Sequence, residues 1–357
     1  MKKILYIISV FIVTACFGLQ AQKPAVREVS SEANVAKGSL VRIVGANRKL
    51  SIKSWDQAKV KVTVQVVQDS SQRSASNEEL FENLGISIKP FSNRVDIMAN
   101  RSASFGSLNA VTVTGYPRKK TAPVTAEQRA AQMAYAEDVL ATTHSGQRVL
   151  GAYVPTNSLM PSMTNIMAME IMVPAGSKLD IDNQYGDVVI GMNLDEAKLN
   201  ISNGALDLQD VKNLELVGKY CNANFGNIEE AEIEFHNGTF HAQNISDLDL
   251  DSKYSTIEYE KGKDLYLRSQ ADNITIDEIS KVEGRKTYGS VRIDMLNGGF
   301  DLDGNNVDIK IRNINPQVEM IKINNKYGDV RLPVKGLKNY FVDFTGYYST
   351  VFTPFPK

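Results

Sequence analysis

LVGKYCNANF (residues 216–225) is followed at a constant interval by IEFHNGTFHA (233–242) and LDSKYSTIEY (250–259). Aligned on Tyr220, Asn237 and Tyr254, each stretch has a small residue next (Cys221, Gly238, Ser255) and apolar residues three and five positions on. The register extends both ways. Tyr185, Asn203, Ala271 and Tyr288 fall on the same marker, at spacings of 18 residues once and 17 thereafter. Three positions past it runs the column Val188, Leu206, Ala223, Phe240, Ile257; five past it, Ile190, Leu208, Phe225, Ala242, Tyr259. Four positions before it stand Ile181, Leu199, Leu216, Ile233 and Leu250, and six before it Leu179, Ala197, Leu214, Ala231 and Leu248. The residues between are mostly polar.

A unit of this length exceeds an ordinary strand, so each reads as two short alternating strands joined by a turn at the Tyr-Gly or Asn-Gly step. Such a unit cannot bury a core alone and must stack on its neighbours. In register, each column becomes a ladder at about 4.8 Å spacing, apolar inside and polar outside. Each buried side chain contributes roughly 1.5–3 kcal/mol before entropy is subtracted. The expected fold is therefore all-β, a stacked β-solenoid resembling a parallel β-helix, with an antiparallel meander as the alternative. The rhythm loosens after residue 296 and returns at Tyr327-Gly328 and Tyr347-Tyr348. Tyr340, Phe341, Phe344, Phe352 and Phe355 make the end aromatic, and it reads as a packed cap on an open edge.

Upstream the chain changes character. Lys2 and Lys3 precede an apolar run from Ile4 to Gly18 that ends Leu19-Gln20-Ala21-Gln22, the pattern of a secretory signal over residues 1–21. Val13-Thr14-Ala15-Cys16 offers a competing lipobox, in which Cys16 would carry the lipid and tie the protein to a membrane. In either case Cys221 is the only other cysteine, so no intramolecular disulfide supports the fold. Residues 22–100 carry 12 basic and 8 acidic groups and read as strands, with Val60–Val66 alternating strictly. They are expected to cap the solenoid, with a short helix at 77–84 capped by Asn77. Residues 101–165 are rich in Ser, Ala, Thr, Pro and Gly and read as an insertion, partly helical (Thr125–Leu140) or disordered. Residues 166–357, the solenoid, hold 20 basic against 30 acidic groups, while the whole chain is at −1. That balance excludes a global electrostatic pull toward nucleic acid.

Leu50-Ser51-Ile52-Lys53-Ser54-Trp55, then Val60-Lys61-Val62-Thr63-Val64, and Met169-Glu170-Ile171-Met172-Val173-Pro174 running into Tyr185-Gly186-Asp187-Val188 carry a family resemblance. With the recurrent Asn-Gly and Tyr-Gly steps, residues 35–100 and 165–357 resemble a bacterial family of exported β-strand-repeat proteins, the "putative adhesin" domain of unknown function. The resemblance implies a β-solenoid in the cell envelope. The insertion departs from it.

Catalytic chemistry is hard to place. The histidines, His144, His236 and His241, form no cluster with cysteine at metal-ligand spacing. Cys221 occupies the small-residue column and reads as packed rather than nucleophilic. Asp301-Leu302-Asp303-Gly304-Asn305 begins like a calcium loop, but Asn306 stands where glycine is needed and Arg312 where the closing acid should be. Met160, Met163, Met167, Met169 and Met172 read as core filling rather than a soft-metal box. What remains is an outward acidic ladder: Glu215, Glu232 and Asp249 five positions before the marker, flanked by Glu234 and Asp251, and by Glu230, Asp247 and Asp264. Stacked carboxylates about 5 Å apart repel, and could recruit a divalent cation or act as a glycosidase pair; the simpler reading is a solvated face. No cofactor is expected.

The expectation is a non-enzymatic, exported protein of a Gram-negative envelope, periplasmic or at the cell surface, or an outer-membrane lipoprotein if Cys16 is acylated. It would bind an unidentified envelope or host protein or glycan through the solenoid surface. The alternatives are a carbohydrate-active enzyme using the acidic ladder and a structural periplasmic module.

Overall fold

The computed structural model describes residues 25–45, 48–68, 76–99, 165–334 and 337. The expected export segment with Cys16, the Thr125–Leu140 helix, His144, Met160, Met163 and the aromatic end from Tyr340 onward lie outside the described residues.

In chain order the first strands are β1 (Ala25–Asn34), β2 (Leu40–Val44), β3 (Leu50–Trp55) and β4 (Lys59–Gln68). The helix α1 (Asn77–Asn83) follows, then β5 (Ile86–Pro90), β6 (Arg94–Ala99) and β7 (Asn165–Pro174). The repeats supply β8 (Lys178–Gln184), β9 (Val188–Ile190), β10 (Leu194–Ser202), β11 (Ala205–Leu208) and β12 (Val211–Lys219). Beyond these the strands run on round the corners: β13 (Asn222–His236), β14 (Thr239–Lys253) and β15 (Thr256–Ile314), then β16 (Met320–Lys326) and β17 (Val330–Arg331).

Two parallel sheets enclose the core. On one, Asp180 lies beside Lys198, Lys198 beside Glu215, Glu215 beside Glu232 and Glu232 beside Asp249. On the other, Val188, Leu206, Ala223, Phe240 and Ile257 are consecutive neighbours. These are the columns read from the sequence, and their parallel pairing makes the fold a β-solenoid rather than a meander. The column residues are buried, and large side chains exchange places diagonally: Ala223 with Phe225 on one coil, Phe240 with Ala242 on the next. The Phe225 and Phe235 rings lie 5.3 and 5.8 Å from that of Phe240. Volume is thus conserved coil by coil, as close packing requires. A further buried column, Leu194, Val211, Ile228, Ile245, Ile279 and Leu296, lines the second corner, with Gly262 at that position on the coil between Ile245 and Ile279.

The marker is a backbone device. Tyr185, Asn203, Tyr220, Asn237, Tyr254, Ala271 and Tyr288 all have φ between 52 and 60°. One left-handed residue turns the chain while its neighbours stay on the ladder: the Tyr220 N–H donates to His236 O at 2.9 Å, and the Thr239 N–H to Cys221 O at 3.2 Å. The next residue is mostly small, Asp272 and Val307 excepted, because coils nearly touch there; a Cβ on Gly238 would stand 1.9 Å from the Cys221 carbonyl oxygen. Asn306 (φ 57°) and Tyr327 (φ 55°) continue the series at intervals of 18 and 21 residues, so the corner itself is not lost where the rhythm loosens after residue 296. The repeat lengthens instead, and a turn closed by the Val318 N–H on Asn315 O holds extra residues.

Stacking is sequential from β8 onward but not before. β2 and β3 form a coil that pairs on one side with β6 and β7 and on the other with β8 and β9. Residues 22–100 therefore place a coil inside the stack as well as strands at its end. Beyond β7 and β6 the sheets continue antiparallel, through β4 and β1 on one face and β5 on the other. The helix α1 buries Leu80 and Phe81, and its C-cap residue Leu84 is buried beside them. Its cap is Ser76 and not Asn77: Ser76 accepts from the Glu79 N–H and the Glu79 side chain accepts from the Ser76 N–H. Asn77 instead accepts from Arg27 at 3.0 Å.

Candidate functional site

The acidic ladder is assembled in the expected register, yet its charges are largely matched within the protein. Lys198 pairs with Glu215, and Lys178 with Glu196. Arg268 reaches Asp249 at 2.8 Å and Asp251 at 3.4 Å, with its guanidinium 5.2 Å from the centre of the Tyr266 ring. Glu234 lies 3.6 Å from Lys219 and 3.8 Å from His236. Lys263 bridges Asp264 and Asp247, and its ammonium is held above the usual lysine range, first by the hydrogen bond to Asp264. A shallow groove of about 610 Å3 crosses this face, bordered by Glu215, Glu232, Asp249 and Tyr266 over a floor of Leu214, Ala231 and Leu248. Among the described residues no three His, Cys, Asp or Glu side chains converge where a metal ion could be held.

The other sequence candidates are structural. Cys221 is buried, and burial pushes its thiol up to about 11. His241 lies on the outer surface between Asn224 and Glu258, and His236 is half-buried at the corner. Asp301 pairs with Lys322, and Asp303 accepts from Asn324 at 3.2 Å. Met169 is buried in the core.

Three features escaped the sequence reading, all at corners. The first is inside. Two positions before the marker, Ser252, Ser269 and Lys286 point inward under the corner, and Asp272 joins them. Lys286 donates to Ser269 Oγ at 2.8 Å, and Ser269 and Ser252 both donate to Asp272 Oδ2. The Ser255 N–H donates to Asp272 Oδ1 at 2.6 Å. Lys286 is only 1 % exposed, and burial lowers its ammonium to about 8 despite the Asp272 charge. The sequence signal for this cluster is the column two positions before the marker, which turns polar from Ser252 onward after Ile201, Gly218 and Phe235.

The second feature laces the far corner. Asn227 donates to Asp210 at 2.9 Å and Asn244 to Asn227 at 2.6 Å. Further on, Lys261 pairs with Glu278 at 3.3 Å, Asn297 donates to Glu278 at 2.9 Å, and Asn315 donates to Asn297 at 3.2 Å.

The third is the marker's own side chains. Tyr185, Tyr220, Tyr254, Tyr288 and Tyr327 alternate with Asn203, Asn237, Ala271 and Asn306, one tyrosine on every second coil. All five tyrosines are between 51 and 82 % exposed. A left-handed conformation costs an L-residue about 1–2 kcal/mol, and only glycine and, through its short polar side chain, Asn or Asp adopt it readily. The tyrosines bear that cost without being buried.

Comparison with known proteins places the chain in context. A family model described as Toastrack DUF4097 matches residues 83–357. Among solved structures, a "putative adhesin" from Bacteroides fragilis is 10% identical, with a TM-score of 0.32, over 84% of this chain and 98% of that one. A "putative lipid binding protein" from Parabacteroides distasonis is 11% identical, with a TM-score of 0.33, over 85% and 96%. No curated protein matches the chain significantly.

Proposed function

The chain belongs to the Toastrack DUF4097 family, and from that premise we propose that it is a non-enzymatic cell-envelope protein, an adhesin-type scaffold that binds its partner along the outside of the solenoid. The observation that carries the reading is the surface lattice. Side chains recur at about 4.8 Å on two sheets held by continuous ladders, so the binding surface is ordered before any partner arrives. A rigid array of this kind suits an extended or repeating partner, a protein or a glycan. The basic and apolar head of the chain supports export as its route to the envelope; acylation at Cys16 would add a membrane anchor.

The test is retention of envelope components on the immobilised full-length chain. A component retained by the native protein and competed by soluble chain is expected; no retention from envelope or host-surface extracts overturns the reading. Protease shaving of intact cells fixes the side: solenoid peptides released from unbroken cells place the scaffold outside. Protection until the outer membrane is breached turns the search to periplasmic partners.

A further inference from the structure

The tyrosine corner is the part of this surface that nothing inside the protein accounts for. Its rings stand on alternate coils, about 9.6 Å apart along the stack. Asn203, Asn237, Ala271 and Asn306 between them are too short to fill the gaps. The residue before each marker is neutral or basic: Gln184, Ser202, Lys219, His236, Lys253 and Gln270. The residue two after it is a hydroxyl or amide on the middle coils, Asn222, Thr239, Thr256 and Asn273, each partly or fully exposed, and an aspartate at Asp187, Asp308 and Asp329. Aromatic faces in line, with hydrogen-bonding groups on one side and cations on the other, form a stacking platform for a chain of sugar rings.

The period selects the chain. An extended β-linked polysaccharide advances about one coil spacing per pyranose. Its disaccharide repeat turns the same apolar ring face toward a support at every second sugar. Lys219, which also lies 3.6 Å from Glu234, and Lys253 precede Tyr220 and Tyr254, so the two central tyrosines each have a cation beside them, while Gln184 and Thr287 precede Tyr185 and Tyr288. Building on the scaffold reading, we infer that the ridge Tyr185–Tyr220–Tyr254–Tyr288 binds an extended, β-linked acidic polysaccharide running parallel to the solenoid axis. Alternate sugars, the acidic ones, stack on the tyrosines, and on the Tyr220 and Tyr254 coils their carboxylates face the adjoining Lys219 and Lys253. Strain at the corner then has a use: the left-handed backbone projects each ring clear of the sheet.

The experiment is affinity electrophoresis of the full-length chain in gels containing hyaluronan, whose β-linked repeat alternates a uronic acid with an amino sugar, or neutral hydroxyethylcellulose. Retardation by hyaluronan is expected. Asn already occupies the same corner on the alternate coils, so the double variant Tyr220→Asn, Tyr254→Asn keeps the fold, checked by its circular dichroism and melting temperature. It should weaken hyaluronan binding by roughly tenfold or more. Lys219→Gln with Lys253→Gln should weaken hyaluronan binding and remove much of its salt dependence. A tyrosine double variant retarded as strongly as the native chain overturns the proposal, and equal retardation by hydroxyethylcellulose overturns its acidic component. If hyaluronan leaves the native chain unretarded while envelope components are still retained, the polysaccharide assignment falls and the scaffold reading stands. If neither binds, both fall.

Discussion

The two corners of each coil solve the same geometric problem with opposite economies. At the far corner, Asp210, Asn227 and Asn244 bond one another from coil to coil, and Glu278, Asn297 and Asn315 do the same further along. Its surface polarity is consumed by the fold. At the marker corner the backbone is just as regular, yet every second residue is a tyrosine in a conformation unfavourable to it and exposed to solvent. The charged face resembles the far corner, since Arg268, Lys198 and Lys263 answer most of its carboxylates. A surface whose groups satisfy each other is explained by stability; one that costs stability calls for a partner.

The contrast can be broken in order of expected effect. The largest lies beneath the marker corner. Asp272→Ala leaves Lys286 buried without its compensating charge and should cost about 3–5 kcal/mol in denaturant unfolding. Replacing both, as Lys286→Met with Asp272→Ser, should recover most of that loss, because Ser255 already occupies the same column one coil earlier.

The same cluster gives a pH signature. Lys286 releases its proton near 8 when folded and near 10.5 when unfolded. Between those values the unfolded chain binds the extra proton, so stability contributed by this group rises with pH across that window and is lowest below 8. The native protein should therefore gain on Lys286→Met by up to about 3 kcal/mol between pH 8 and 10.5, read as the difference between the two unfolding curves. A difference that is flat with pH would mean that Lys286 is hydrated in solution.

Smaller effects separate the two corners directly. Asn227→Ala removes the central link of the far-corner chain and should destabilise by about 1 kcal/mol. Tyr220→Asn should move the other way, stabilising by about 0.5–1 kcal/mol as corner strain is relieved. If both substitutions destabilise alike, the tyrosines are structural and the contrast fails. Smallest of all, Glu215→Gln on the charged face should leave the unfolding midpoint almost unmoved, and any shift should vanish in high salt. A large loss there would give that exposed ion-pair ladder a structural role it does not have in this account.

The sequence alone determined the repeat, its four main apolar columns and the corner position, because each is a local demand. Alternation assigns side chains to faces two residues at a time, and a sharp corner needs a left-handed residue followed by a small one. The pairing of Asp180, Lys198, Glu215 and Glu232 followed from that register without further information. Tertiary structure decided what depends on contacts distant in the chain. That β6 and β7 stack outside β2 and β3, while β8 and β9 stack on the inner side, is a choice of order that no local pattern encodes. That Lys286 finds Ser269 and Asp272 inside the coil, and that the acidic ladder is answered by basic residues on neighbouring coils, appears only once the coils are laid on one another. The tyrosines were visible from the first alignment as phase markers. Only the folded backbone, with its left-handed corner and exposed rings, shows that five of them stand in line on alternate coils.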